Sequence, residues 1–249
     1  GKVVMVTGAS AGIGLESARK FAANDAAVIL VARTLSKLEE QVEIIRKQGG
    51  EAYAYACDLS DMDDIDRMAK EVLKDFDHVD ILVNNAGGGG FGNLDQLTFE
   101  EWRNIMALNM DSVFLGCKTA APLLQADGGG SIINISSTNA NRAWAMFSGY
   151  CSAKAGMTMF SKCVAQHFLE TNANVRCNTV HPGPIETPNF KRLTAAEGAE
   201  QLLADWQKNN PFTEIGSVED IGEVVAFLAS DAARYVNASE FVAAGGTLL

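Results

Sequence analysis

Val3-Val4-Met5-Val6-Thr7-Gly8-Ala9-Ser10-Ala11-Gly12-Ile13-Gly14 is an apolar run that breaks into glycine. Beyond Gly14, residues Leu15, Ala18, Phe21 and Ala22 recur at helical spacing, and the pattern predicts a helix to about Asn24. Strand, glycine turn and helix start together make a cradle for phosphate. A backbone without Cβ atoms lets an anion come close, and the amides of the helix N-terminus face it. Gly8, Ser10, Gly12, Ile13 and Gly14 are therefore candidate binding residues. Their spacing is G-x-x-x-G-x-G rather than G-x-G-x-x-G, and a tight turn without a ligand is the plainer alternative.

Outward from this stretch the same unit repeats. Ala27 to Ala32 is apolar throughout, as a strand buried on both faces must be. Leu35, Leu38, Val42 and Ile45 mark a helix that Gly49-Gly50 ends. Glu51 to Ala56 reads as a third strand, and Ser60 with Asp63 as a capping box for a helix over 61–75. Val79 to Val83 is a fourth strand, ending in Asn84-Asn85-Ala86-Gly87. A long helix is expected over 98–124, with Asn109 buried among apolar neighbours and in need of partners. Ser131 to Ser136 is a fifth strand and Val175 to Val180 a sixth, with a helix to about Thr171 between them. The more polar stretch 186–210 is placed as a substrate lid, followed by a helix over 218–228 and a last strand near Phe241-Val242. This alternation predicts one α/β domain over 1–249, a Rossmann-type doubly wound parallel sheet.

Composition narrows the function. The 249 residues are 47% hydrophobic, enough for a full core, and no apolar run reaches the length of a membrane span. The net charge of −11 argues against nucleic acid and anionic membrane surfaces as partners. The N-terminus enters a strand at once without a secretory pattern, and five scattered cysteines without metal spacing read as reduced thiols of a cytoplasmic protein. The three histidines form no ligand set, so no metal site is expected.

Chemistry enters with Tyr150-Cys151-Ser152-Ala153-Lys154. A four-residue offset on a helix puts Tyr150 and Lys154 on one face, one turn apart. A cation near a phenol lowers its pKa, and bringing it from about 10 to about 7 takes roughly 4 kcal/mol. Such a phenol can exchange a proton near neutral pH. Alone, the pair is more often two exposed residues on a solvated helix face.

Taken in order, these motifs resemble the short-chain dehydrogenase/reductase family over essentially the whole chain. Thr7-Gly8-x-x-x-Gly12-Ile13-Gly14 looks like its nucleotide loop, Asp58 (with Leu59) like its adenine contact, and Asn84-Asn85-Ala86-Gly87 like the motif that steadies the sheet and lines the cofactor. Asn109, Ser137, Tyr150 and Lys154 fit its catalytic tetrad; Pro182, Gly183, Ile185 and Thr187 fit the segment beside the nicotinamide. The resemblance implies Tyr150 as general acid or base and Lys154 as ribose ligand that lowers the Tyr150 pKa. It implies Asn109 as anchor of a relay water and Ser137 as donor to the substrate oxygen. Ser136 competes with Ser137, and Ser137 is preferred because the family places its serine thirteen residues before the tyrosine. Three features depart from the family pattern. Ala243-Ala244 stands where relatives usually carry Asp before Gly-Gly, Asn24-Asp25 replaces a usual glycine, and the Gly87–Gly90 run is longer in glycine than usual.

The end of the second strand separates NADP from NAD. Ala32 leaves room for a 2′-phosphate, Arg33 offers a fork of donors, and Thr34 adds a hydroxyl, so NADP is expected; Arg33 stacked on adenine in an NAD enzyme is the other reading. The leading expectation is an alcohol dehydrogenase or ketoreductase acting on a small or bulky hydrophobic ketone or alcohol. The rivals are a 3-oxoacyl-acyl-carrier-protein reductase and a non-catalytic NADP-binding sensor. The absence of Lys or Arg over 119–141 offers no basic dock for an acidic carrier. Asn139, Trp144, Phe147, Phe190 and Trp206 are the candidate substrate contacts. Family resemblance and the two apolar helices suggest a homotetramer.

Overall fold

The computed structural model describes residues 1–195, Ala204 and 215–248. Seven strands make one sheet: β1 (Val3–Thr7), β2 (Ala27–Ala32), β3 (Glu51–Ala56), β4 (Ile81–Asn84), β5 (Gly130–Ile135), β6 (Val175–Pro182) and β7 (Glu240–Ala243). Their order is β3-β2-β1-β4-β5-β6-β7, and every neighbouring pair is parallel. Parallel pairing requires crossovers, and the helices supply them. They are α1 (Gly12–Ala22), α2 (Leu35–Lys47), α3 (Met62–Asp75), α4 (Phe99–Met106), α5 (Ser112–Ala126), α6 (Ser148–Glu170), α7 (Pro188–Thr194) and α8 (Val218–Ala229).

The two-residue period of a strand assigns side chains to the two faces. Val4 and Val6 of β1 pack into one core with Ala18, Leu38 and Ile45 of α1 and α2 and with Ile221 and Val225 of α8. Val3 and Met5, the intervening residues, enter the other core with Met68, Leu123, Met157 and Phe168 from α3, α5 and α6. Both faces are dry, which is why β2 reads as unbroken apolar sequence. Burying a side chain such as Leu30 completely contributes about 1.5–3 kcal/mol.

Sheet order reverses between β1 and β4, and the crevice outside their carboxyl ends is where ligands bind in such sheets. Three local features differ from the sequence reading. The helix expected over 98–124 begins with a Thr98–Glu101 capping box but is interrupted by a π-turn at Ala107–Asp111. Asn109 Nδ2 donates to Ile105 O at 2.9 Å, the carbonyl a regular helix would offer to the Asn109 backbone N–H, and the helix widens there. The cap of α3 is Asp61, which accepts from Asp63 and Asp64 N–H, while the Ser60 hydroxyl turns back to Asp58 Oδ1 at 2.6 Å. Asp25 adopts φ +60°, a left-handed conformation at the position where glycine was the usual residue.

Candidate active site

The cofactor candidates follow the carboxyl ends of successive strands. Gly8, Ser10, Gly12, Ile13 and Gly14 follow β1; Arg33 and Thr34 follow β2; Asp58 and Leu59 follow β3; Asn85, Ala86 and Gly87 follow β4. Pro182 ends β6, with Gly183, Ile185 and Thr187 beyond it. The Thr7 hydroxyl accepts both Asn85 N–H and Ala86 N–H at 3.0 Å. Asn85 Nδ2 donates in return to Thr7 O at 3.0 Å and Gly8 O at 3.3 Å. The glycine turn is thereby fastened to β4. Gly8 has φ +66°, and a Cβ there would lie 2.8 Å from Asn85 Nδ2; a Cβ on Gly14 would also strike that atom.

The fit for a dinucleotide lies at the start of α1. Ala11, its N-cap, provides no side-chain hydrogen bond, and the first turn carries no acid. Among the described residues the N-cap leaves the first amides of α1 without a side-chain acceptor, an end suited to an anion. At the other end of the binding edge, Ala32 is buried, and Arg33 and Thr34 are exposed. Asp58 is held below the usual carboxylate range, first by the Ser60 hydroxyl and amide and further by the charge of Arg33. Arg33 therefore lies close enough to Asp58 for its charge to act on that carboxylate.

β5, α4–α5 and α6 bring the four expected catalytic residues together. Asn109 is wholly buried, with both side-chain donors spent on Gly88 O and Ile105 O, while its Oδ1 accepts Gly88 N–H at 3.1 Å. Its side chain thus fixes the loop after β4, and a Cβ on Gly87 would touch both Asn109 Oδ1 and Lys154 Nζ. The two serines separate cleanly. Ser136 is buried against α6, bonded to Thr158 Oγ1 at 2.9 Å and Lys154 O at 3.3 Å. Ser137 is half-buried, accepts Asn139 N–H at 3.1 Å, and lies near enough to the Tyr150 phenol to favour its ionised form.

Lys154 is buried and donates to Ile135 O at 2.8 Å, with Nζ 5.6 Å from the centre of the Tyr150 ring. Desolvation brings its pKa down to about 7. Burial pushes the Tyr150 phenol up to about 12, against the opposing pull of Ser137. The ammonium is aimed at a carbonyl under the ring, and both groups are desolvated.

The comparisons concern the chain as a whole. Residues 8–247 match a family profile described as Enoyl-(Acyl carrier protein) reductase. The 3beta-hydroxysteroid dehydrogenase 1 of Eggerthella lenta is 33% identical over 100% of this chain and 94% of its own. A solved structure from Burkholderia xenovorans, described as a short-chain dehydrogenase/reductase, is 36% identical with a TM-score of 0.92, covering 100% of this chain and 97% of that one. The chain belongs to the short-chain dehydrogenase/reductase family. It is an oxidoreductase of the alcohol and ketone class. The cyclohexanol dehydrogenase of an Acinetobacter strain is 31% identical over 98% of this chain and 94% of its own.

Within this dehydrogenase fold the expected substrate residues divide. Trp144 is half-buried, 5.5 Å centre to centre from Phe147, which is itself 6.5 Å from Tyr150. Phe147 is only 6% exposed, so it supports the wall rather than forming its surface; the adjacent exposed ring is Phe91, 5.4 Å away. Asn139 sits half-buried in the 3-10 turn after Ser137, and Phe190 lies on α7, capped by Thr187. Trp206 and most of the expected lid lie outside the described residues. The Ala243-Ala244 pair backs the site: Gly183 N–H donates to Ala243 O at 3.0 Å. Sequence reasoning passed over Phe91 and His181. A loop phenylalanine and a lone histidine give no periodic signal.

Proposed function

We propose that this chain transfers hydride between NADP(H) and the carbonyl or secondary alcohol of a hydrophobic substrate, with Tyr150 as general acid in reduction and general base in oxidation. The observation that carries the reading is the Ser137 hydroxyl beside the Tyr150 phenol with Lys154 Nζ 5.6 Å from the Tyr150 ring centre, next to an α1 whose N-cap makes no side-chain hydrogen bond. When bound, the nicotinamide supplies or accepts the hydride. The glycine turn and the α1 amides hold the pyrophosphate, Asp58 and Leu59 the adenine, and Arg33 with Thr34 the 2′-phosphate. Asn85, Ala86, Gly87, Pro182, Gly183, Ile185 and Thr187 line the rest, and Lys154 holds the ribose. An anionic ligand at this edge favours the ammonium form of Lys154, and that ammonium draws the phenol down from about 12. Ser137 donates to the substrate oxygen as negative charge develops there, while Tyr150 gives that oxygen its proton. Asn109 holds the loop beneath Lys154 and anchors a water of the proton relay.

The 2′-phosphate reading draws support from a buried Ala32 beside an exposed Arg33, and from a neighbour of 29% identity and TM-score 0.91. That neighbour, described as an NAD(P) dependent gluconate 5-dehydrogenase from Beutenbergia cavernae with NADP bound at low occupancy, is covered over 97% of its length and covers 100% of this chain. The Trp144–Phe147–Phe91 wall suits a bulky apolar substrate better than a sugar acid. A ketone or alcohol with a bulky apolar body is thus the substrate, and five free cysteines fit a cytoplasmic enzyme.

Two variants test the reading against a panel of ketones. Tyr150→Phe is expected to keep cofactor binding and to lose at least about a hundredfold in kcat. Near-normal turnover in the folded variant would remove the assignment. Ala32→Asp sets a carboxylate against a 2′-phosphate, so the NADPH-to-NADH ratio of kcat/KM should fall at least about tenfold. A parent ratio below one would contradict the NADP reading.

A further inference from the structure

His181 lies at the end of β6 and is wholly buried. Its Nδ1 is 3.1 Å from Ser137 O and its Nε2 3.0 Å from Thr179 Oγ1. A carbonyl only accepts, so Nδ1 carries the proton, and Nε2 of the neutral ring accepts from the Thr179 hydroxyl. Glu240 of β7 stands behind the ring, its Oε2 3.6 Å from Nε2. The same carboxylate accepts from Asn141 Nδ2 at 3.1 Å and from Lys162 Nζ at 2.7 Å. The turn from Ser137 to Asn141 is thus held at both ends. His181 holds the Ser137 carbonyl, and Glu240 holds the Asn141 amide.

We infer that His181 is a positioning residue for the Ser137 hydroxyl, and that Glu240 ties this positioning to strand β7. The bonds at Ser137 divide between its two oxygens. The hydroxyl faces Tyr150, and the carbonyl is fixed by His181 together with Ala140 N–H at 3.0 Å. Loss of the His181 donor frees the peptide plane that sets the direction of the Ser137 side chain. The ring has no exposed surface, so in the folded parent no solvent competes with it for the Ser137 carbonyl. The charged groups around it are Glu240 on β7 and Lys154 and Lys162 on α6. Burial is the largest influence on the ring and favours the neutral form that the two hydrogen bonds require.

The inference rests on Ser137 meeting the substrate oxygen, so its test separates the two. NMR of the ring nitrogens in the parent protein at neutral pH should show the Nδ1–H tautomer at His181; an Nε2–H tautomer overturns the inference whatever Ser137 does. His181→Ala should lower kcat about tenfold with the cofactor KM little changed, and His181→Asn, whose amide N–H can stand in for Nδ1–H, should recover most of it. In a Ser137→Ala background, His181→Ala should cost nothing further, because two residues acting through one contact are not additive. Equal losses from His181→Ala in both backgrounds overturn the inference alone. Unchanged turnover in Ser137→Ala removes the role of Ser137 and the inference with it.

Discussion

Lys154 shows how burial changes a residue's chemistry. Four residues after Tyr150 it shares a helix face with the phenol, which the spacing alone predicts. Its charge state follows from desolvation, which brings it from 10.5 to about 7. A lysine so lowered in the folded protein binds fewer protons than it does unfolded between about 7 and 10.5. Its contribution to stability therefore rises with pH through that window. The difference in unfolding free energy between the parent and Lys154→Met should move in the parent's favour by about 1–2 kcal/mol from pH 7 to pH 8.5. Denaturant titrations of both proteins at the two pH values measure it, and an unchanged difference would mean the ammonium persists in the core. The choice of Ser137 over Ser136 came from the resemblance, and in the structure the two hydroxyls have different surroundings. One hydroxyl is consumed by Thr158 and Lys154 O, and the other faces the phenol.

At the scale of elements, strands β2 and β3 were legible to the residue because unbroken or alternating apolar runs end in turn residues. The π-turn at Asn109 was not. It arises from the side-chain bond to Ile105 O and from the Gly88 loop that closes on Asn109 from β4. Neither partner is visible in a local window. Turns carry a second lesson. Ala238, in the turn that leads into β7, has φ +54° and is exposed, with its N–H donating to Cys177 O at 2.9 Å. A left-handed alanine costs roughly 1 kcal/mol that glycine does not. Ala238→Gly should therefore raise Tm by about 2–4 °C in a domain of this size, as scanning calorimetry would show. A lower Tm would mean that the added chain entropy of glycine wins.

The whole molecule presents apolar surface where a subunit contact is expected. Phe114 on α5 is 44% exposed and Met159 on α6 60% exposed, and Phe114 meets Phe160 edge-on at 5.9 Å. Apolar side chains on two neighbouring helices are suited to a symmetric partner, and a D₂ tetramer is a common closed assembly. Light scattering at micromolar concentration should give the mass of four chains. Phe114→Glu with Met159→Glu should give a smaller species that keeps its secondary structure. A monomeric parent would refute the assembly. Among the described residues no helix is long and apolar enough to cross a membrane.

The sequence by itself determined the alternation of strands and helices, the glycine turn at the first crossover and the Tyr150–Lys154 pair. These are local patterns, set by side-chain period and by the geometry of one helix turn. Tertiary structure decided what those residues are chemically. It set the raised phenol and the lowered amine, the direction of each serine hydroxyl and the π-turn under the Gly88 loop. It also decided that His181, unremarkable in sequence, lies between Ser137 and Glu240. The reason is that desolvation and hydrogen bonding depend on atoms far apart in the chain. Ser137 and Glu240 are brought to the same imidazole only because β5, β6 and β7 lie side by side.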